Sequence, residues 1–338
     1  MLTRKVTGIG AGLGILLLIL DGRTALEGAR LGAELCLRTV IPSLFPFFVL
    51  SILFTGSILG TPVRILRLPG KLCGIPKGTE PLLLAGFLGG YPVGAQTISS
   101  AYHAGQLQKN DAHRMLAFCN NAGPSFLFGM TAPMFPDKGM VWTLWLIHMV
   151  SAVLTAVILP RNQTGNVRLQ TAPPVTLSAA MTKALSVMAS VCGWVILFRV
   201  IIQFLDRWIL WILPDAAKVP LIGMLELSNG CCELLVIENT GLRFLVCAGM
   251  LAFGGLCVTM QTVSVTKGLK LRSYFFGKTL QTASSILLAY IFQLSFPARI
   301  GRIHCSEMAL GIGGFLLFTA IFLQKKKNSS SIPAAFGV

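Results

Sequence analysis

Stretches of about 20 apolar residues recur along this chain with only short polar joins between them, and that recurrence leaves few folds open. A bilayer core is about 30 Å thick and a helix rises about 1.5 Å per residue, so each stretch is long enough to cross it once. The mean hydropathy is +0.74 and only 12% of residues are charged, where a soluble domain carries about 25%. No segment is long and polar enough to fold separately in water. The fold class expected is an all-α polytopic membrane protein of about ten hydrophobic elements.

The net charge of +16 would suggest nucleic acid in a soluble chain. Here the basic residues lie mostly in the joins, where the positive-inside rule puts them, and no basic helix is spare for a nucleic acid. Cys36, Cys119, Cys192, Cys231, Cys232, Cys247 and Cys257 fall in apolar segments and read as small packing residues. No Cys-x-x-Cys occurs, and His103, His113, His148 and His304 are scattered, so no metal or other cofactor is expected. The phosphate-loop, zinc-protease and nucleophile-elbow patterns are missing as well, so neither catalytic residues nor an enzyme is expected.

Read in order, an uncleaved helix at 6–20 precedes a mixed stretch, 24–38. Its Glu27, Arg30, Glu34 and Arg38 share one helical face, as in a piece lying at the membrane interface. Apolar elements follow at 40–59, 81–102, 112–130 and 140–159, then, after a polar join, at 184–205, 220–237, 242–265, 274–296 and 308–323. Two elements in each half are interrupted. The breaks are Gly89, Gly90, Pro92 and Gly94; Asn120 to Pro124; Glu226 to Gly230; and Gly254 with Gly255. Each half thus gives a plain helix, an element that opens at a proline (Pro81, Pro220) and breaks, a second broken element, and a plain helix. The expected organisation is 1–39 as N-terminal and interfacial helices, 40–160 as a first repeat, 161–178 as a cytoplasmic linker, 179–297 as a second, inverted repeat, 298–327 as a C-terminal membrane helix and 328–338 as a disordered tail.

Loop charge distinguishes two threadings. If 81–102 and 220–237 are re-entrant hairpins, Lys109, Arg114, Arg161, Arg168 and Lys183 move to the cytoplasmic side while only Lys138 and Lys218 leave it. Lys278 counts as a cytoplasmic join residue in both threadings. The hairpin threading obeys the positive-inside rule better than full crossings do. It also inverts one half relative to the other, a plan common among secondary transporters.

Irregular backbone at membrane depth leaves polar groups unpaired at a cost of several kcal/mol each if they face lipid. Four symmetrically placed breaks therefore predict one central polar site. Tyr91, Gln96, Asn120, Asn121 and Ser125 in the first half, with Ser228, Asn229 and Gln261 in the second, are the candidate solute-binding residues. Arg199, deep in an apolar run, is expected to bind an anionic solute or to pair with Glu226. The partners implied are a small-molecule solute, the bilayer, and a coupling ion, H+ or Na+; Glu226, Glu233 and Glu238 are the carboxylates available for protons. A homo-oligomer is compatible with all of this.

The strings Ile41-Pro-Ser-Leu-Phe-Pro-Phe-Phe48, Gly86-Phe-Leu-Gly-Gly-Tyr-Pro-Val-Gly94, Phe118-Cys-Asn-Asn-Ala-Gly-Pro124 and Phe253-Gly-Gly-Leu256, the last followed by Gln261, carry a resemblance. They resemble the sporulation integral membrane proteins of spore-forming Firmicutes, which belong with the nucleoside-recognition or gate-domain membrane proteins. Gly89-Gly90 stands where that family is expected to show Ser-Gly. The resemblance implies transport of dipicolinate, a small aromatic dicarboxylate, across the outer forespore membrane, and kinship with nucleoside transporters built on paired hairpins. Ion-coupled nucleoside transport and a non-transporting gate or assembly subunit are the alternatives. A multi-pass protein of the bacterial inner membrane is expected in each case.

Overall fold

The computed structural model describes residues 2–61, 63–161, 167, 169 and 175–296. The expected membrane helix at 298–327, the tail at 328–338 and most of the linker lie outside the described residues. Every regular element described is a helix. After α1 (Leu2–Leu20) come α2 (Gly22–Leu35), α3 (Ile41–Ile58) and the short α4 (Arg67–Leu72). α5 (Glu80–Leu88), α6 (Val93–His103), α7 (Lys109–Leu116), α8 (Pro124–Thr131) and α9 (Lys138–Ile158) complete the first half. The second half holds α10 (Leu177–Trp208), α11 (Asp215–Leu225), α12 (Leu227–Cys232), α13 (Thr240–Phe253), α14 (Gly255–Val265) and α15 (Arg272–Ser295).

Four helical stretches among the described residues are long and apolar enough to cross a membrane: Gly22–Ile58, Lys138–Ile158, Leu177–Trp208 and Thr240–Val265. Their outward faces carry Leu50, Phe54, Trp142, Leu146, Leu197 and Ile201, all exposed, while Asn120, Thr262, Gln281 and Thr282 are fully enclosed. An apolar exterior around a polar interior suits lipid and not water. The chain is a multi-pass membrane protein.

The first stretch corrects one expectation. Residues 24–38 are not a separate interfacial piece but the first part of a continuous helix of 37 residues. Pro42 lacks an N–H, and its ring would collide with the carbonyl four residues back. The helix absorbs this by widening to a π turn over Cys36–Val40. Gly28 and Gly32 then seat α2 on α10, where an added Cβ would come within 2.8 Å of the Val200 Cα or 2.9 Å of the Ile196 Cα. The charged face points away from that contact, with Arg30 paired to Glu27 and Glu34, and Arg38 to Glu34.

Two pairs of short helices fold back on themselves. α5 and α6 have 9 and 11 residues, so neither spans more than about 17 Å. They pack through Gly86 and Gly94, where a Cβ on Gly94 would stand 2.8 Å from the Gly86 Cα. α11 and α12 pack through Gly223 and Gly230 even more closely.

Two arginines mark the ends of the bundle. Arg114 in α7 donates to the carbonyls of Ala156 (2.6 Å), Pro160 (2.8 Å) and Gly74 (3.1 Å), at the C-terminal end of α9. Arg243 in α13 donates to Met134 (2.9 Å), just before α9 begins, and to Ile237 (2.9 Å). The broken pair α7–α8 therefore starts at one end of α9 and the broken pair α13–α14 at the other.

Candidate functional site

Three of the four interruptions, with the helix that follows the fourth, line one central cleft, whose envelope of about 460 Å³ is partly open to the outside. Gly89, Gly90 and Tyr91 come from the tip between α5 and α6, and Gly123 and Ser125 from the start of α8. Glu226 and Ser228 come from the tip between α11 and α12, and Val258 and Gln261 from the first turns of α14. Leu44 and Phe48 of α3 and Val191 and Val195 of α10 supply apolar walls. The glycines permit the approach. Gly254 has φ +82°, and a Cβ on it would lie 2.8 Å from the Tyr91 hydroxyl; Gly255 has φ +83°, and a Cβ there would lie 3.0 Å from the Gly223 carbonyl. The Tyr91 hydroxyl donates to the Leu251 carbonyl at 3.2 Å, joining the first tip to the second broken helix.

Helix starts at such breaks present free N–H groups and a partial positive charge. At α12 the protein fills that position itself. Glu226, 2% exposed, accepts from Ser228 N (3.1 Å), Asn229 N (2.7 Å) and Asn229 Nδ2 (2.7 Å). α8 also begins at the cleft and has no side-chain cap, whereas the start of α6 is closed by the Asn120 amide oxygen, which accepts from Ala95 N, and Gly254 and Gly255 at the start of α14 stand outside the lining. Ser125 Oγ is enclosed and has no protein partner among the described residues. The wall thus offers one carboxylate, two serine hydroxyls, one tyrosine, one amide and one uncapped helix start.

Of the residues expected to bind solute, Tyr91, Ser125, Glu226, Ser228 and Gln261 line the cleft. Gln96 lies further along α6, half-buried and outside the lining, and Asn229 stands behind Glu226. Asn120 and Asn121 do not line it either; they hold the α7–α8 break in place. Asn120 Oδ1 accepts from Ala95 N (3.3 Å) while its Nδ2 donates to Thr262 Oγ1 (2.9 Å), tying the break to α6 and α14. Asn121 Nδ2 donates to the Phe118 carbonyl at 2.7 Å. Arg199 requires a correction. It pairs with Glu233 at 3.4 Å, not with Glu226, and borders a second, charged pocket with Asp206, Asp215 and Lys218. The carboxylate of Glu226 already has three donors, and Arg199 lies on a different face of the second hairpin.

Lys278 is a second correction. Instead of sitting in a cytoplasmic join, it is 1% exposed inside α15. Nζ donates to Gln281 Oε1 (2.8 Å) and Asn121 Oδ1 (3.2 Å), and Gln281 Nε2 donates to the same Asn121 oxygen at 2.9 Å. His148 of α9, one of the scattered histidines, also supports the break: its Nε2 accepts from Ala122 N at 3.2 Å. The sequence holds a signal for the lysine. Lys278, Gln281, Thr282 and Ser285 follow the i, i+3, i+4, i+7 spacing of one helical face, and all are buried.

No family model matches the chain, and no solved structure matches it. It is similar to the sporulation integral membrane protein YlbJ of Bacillus subtilis (strain 168), at 23% identity over 307 residues that cover 77% of this chain and 75% of that protein. At the level of the family, that relative supports the sporulation integral membrane proteins, which the Pro-Ser-Leu-Phe-Pro and Cys-Asn-Asn strings resemble.

Proposed function

We propose that the chain carries a small polar solute across the membrane, holding it in the central cleft between two hairpin tips and two helix breaks. The observation that supports this is the convergence on one lining of three breaks and of the helix that follows the fourth, since unpaired backbone at membrane depth persists only where protein or a wet cavity meets it. In this reading 40–160 and 179–297 are inverted repeats and each folded-back pair is a re-entrant hairpin. The opposite starting ends of α7–α8 and α13–α14 fit that arrangement. The solute proposed is a planar aromatic dicarboxylate, dipicolinate, one of whose carboxylates would meet the uncapped start of α8 beside the Ser125 hydroxyl. A second reading, a nucleoside, is favoured by Glu226, whose carboxylate can accept from hydroxyl groups but repels a dianion.

Radiolabelled dipicolinate should enter vesicles containing the purified chain and not protein-free vesicles. Uptake of uridine in its place moves the assignment to the second reading. Entry of neither solute, with the chain shown to be folded and inserted, ends the carrier proposal.

A further inference from the structure

Lys278 is not part of the cleft lining, yet it is the most enclosed lysine or arginine among the described residues, 1% exposed. A charged group enclosed at this depth loses several kcal/mol of hydration unless its surroundings replace it. What surrounds Lys278 replaces it only partly. Both its hydrogen-bond partners are neutral amide oxygens, those of Asn121 and Gln281. The Tyr91 and Tyr274 rings stand 5.3 and 6.0 Å from Nζ, within reach of a cation–π attraction that exists only while the amine is charged. Arginine would keep its charge throughout, whereas a lysine can release its proton.

The contacts of that ammonium reach the cleft from two directions. Through Asn121 it grips the segment 120–123, which leads into Gly123 and Ser125 on the cleft wall; over Tyr91 it holds the tip of the first hairpin. On the other side of the same segment stands His148. Its Nε2 accepts from Ala122 N, which puts the ring proton on Nδ1, and Nδ1 is enclosed with no partner among the described residues. The titratable groups facing Lys278 are therefore His148 from α9, Cys119 from the break, Tyr91 from the hairpin tip and Tyr274 from its own helix.

We propose that Lys278 is the proton-binding group that couples solute movement to the proton gradient, an inference that rests on the carrier reading above. With its proton, Nζ holds Asn121, Gln281 and the hairpin tip together. Release breaks one N–H bond, leaves the electron pair on Nζ and passes the proton to water on the side to which the cleft is open. The ring contacts weaken, and the break and the tip are freed to move. A proton taken up from the other side restores the hold. The same geometry disfavours Na+, because a metal cation at the Asn121 oxygen would face the ammonium.

Two measurements on the full chain in vesicles test this. The first needs no solute: hydrogen exchange over 118–126, corrected for the intrinsic pH dependence of exchange. Protection in the wild type should fall as pH rises, K278R should stay protected throughout, and K278Q should show no pH response. A K278Q response matching the wild type overturns the proposal. The second uses radiolabelled dipicolinate, with uridine in parallel. A difference of about one pH unit supports about tenfold accumulation per proton in the wild type; K278Q should lose that accumulation while still exchanging solute without a gradient. Equal gradient-driven accumulation by K278Q overturns the proposal. If the wild type moves neither solute, the carrier reading fails, and hydrogen exchange alone decides whether Lys278 holds the break by its proton.

Discussion

At the scale of single residues, a glycine-on-glycine contact holds the second hairpin closed. A Cβ on Gly230 would lie 2.6 Å from the Gly223 nitrogen and 2.9 Å from Met250 Cε. The sulfur side chain can shift but the backbone of α11 cannot without opening the hairpin. G230A should therefore cost about 1–3 kcal/mol, the usual penalty of overpacking. G193A makes the control, because a Cβ there meets nothing within 4 Å and removing a mid-helix glycine is worth about 0.5–1 kcal/mol. Thermal unfolding in detergent should order the proteins as G230A, wild type, G193A from least to most stable. Residue identity alone reveals the importance of Asn120 and Asn121 but not their task. Buried amides are costly wherever they lie, and only the Thr262 and Lys278 partners show that they brace the break instead of facing the cleft. Lys278 is hidden for the opposite reason: four residues into an apolar run, it looks like the last charge of a loop.

At the scale of elements, the breaks are legible because clustered glycine and proline are costly in any unbroken membrane helix, and each break falls within a few residues of its expected place. The join between 24–38 and α3 is not. Charges on one face signal a surface in water but cannot say whether a helix lies flat or continues, and the π turn that carries it past Pro42 leaves no mark in the sequence. Loop-to-helix contacts are equally silent. His113 of α7 accepts from the Lys270 backbone N–H at 3.0 Å, pinning the loop before α15. Partial burial, followed by the Lys109 and Lys270 charges, lowers its pKa below the usual histidine value. Only the neutral ring can accept, so this contact contributes fully above the usual histidine value and is lost as pH falls through the lowered one. Hydrogen exchange over 266–271 should accelerate on acidification across that window, beyond the intrinsic trend. H113Q, unable to titrate, should remove the pH response; an unchanged response would show that the pin is not His113.

At the scale of the whole molecule, the arrangement of ends carries the functional argument, since a carrier with two opposed halves must present equivalent joins to opposite compartments. One end gathers Gly74, Arg114, Pro160 and the Lys270 loop; the other gathers Met134, the start of α9 and Arg243. The first end also holds Lys71, Lys77 and Lys267, and basic joins stay in the cytoplasm. Lys77 and Lys138 are both exposed, one at each end. Cysteine placed at 138 in a cysteine-depleted chain should react with a membrane-impermeant maleimide added outside intact cells. Cysteine at 77 should react only after the membrane is opened. If both react from outside, or the order reverses, the positive-inside assignment of these ends is wrong. If 77 is shielded and 138 reacts, the cleft lies between compartments with one hairpin entering from each, and alternating access requires nothing more of the fold than that the two tips part in turn.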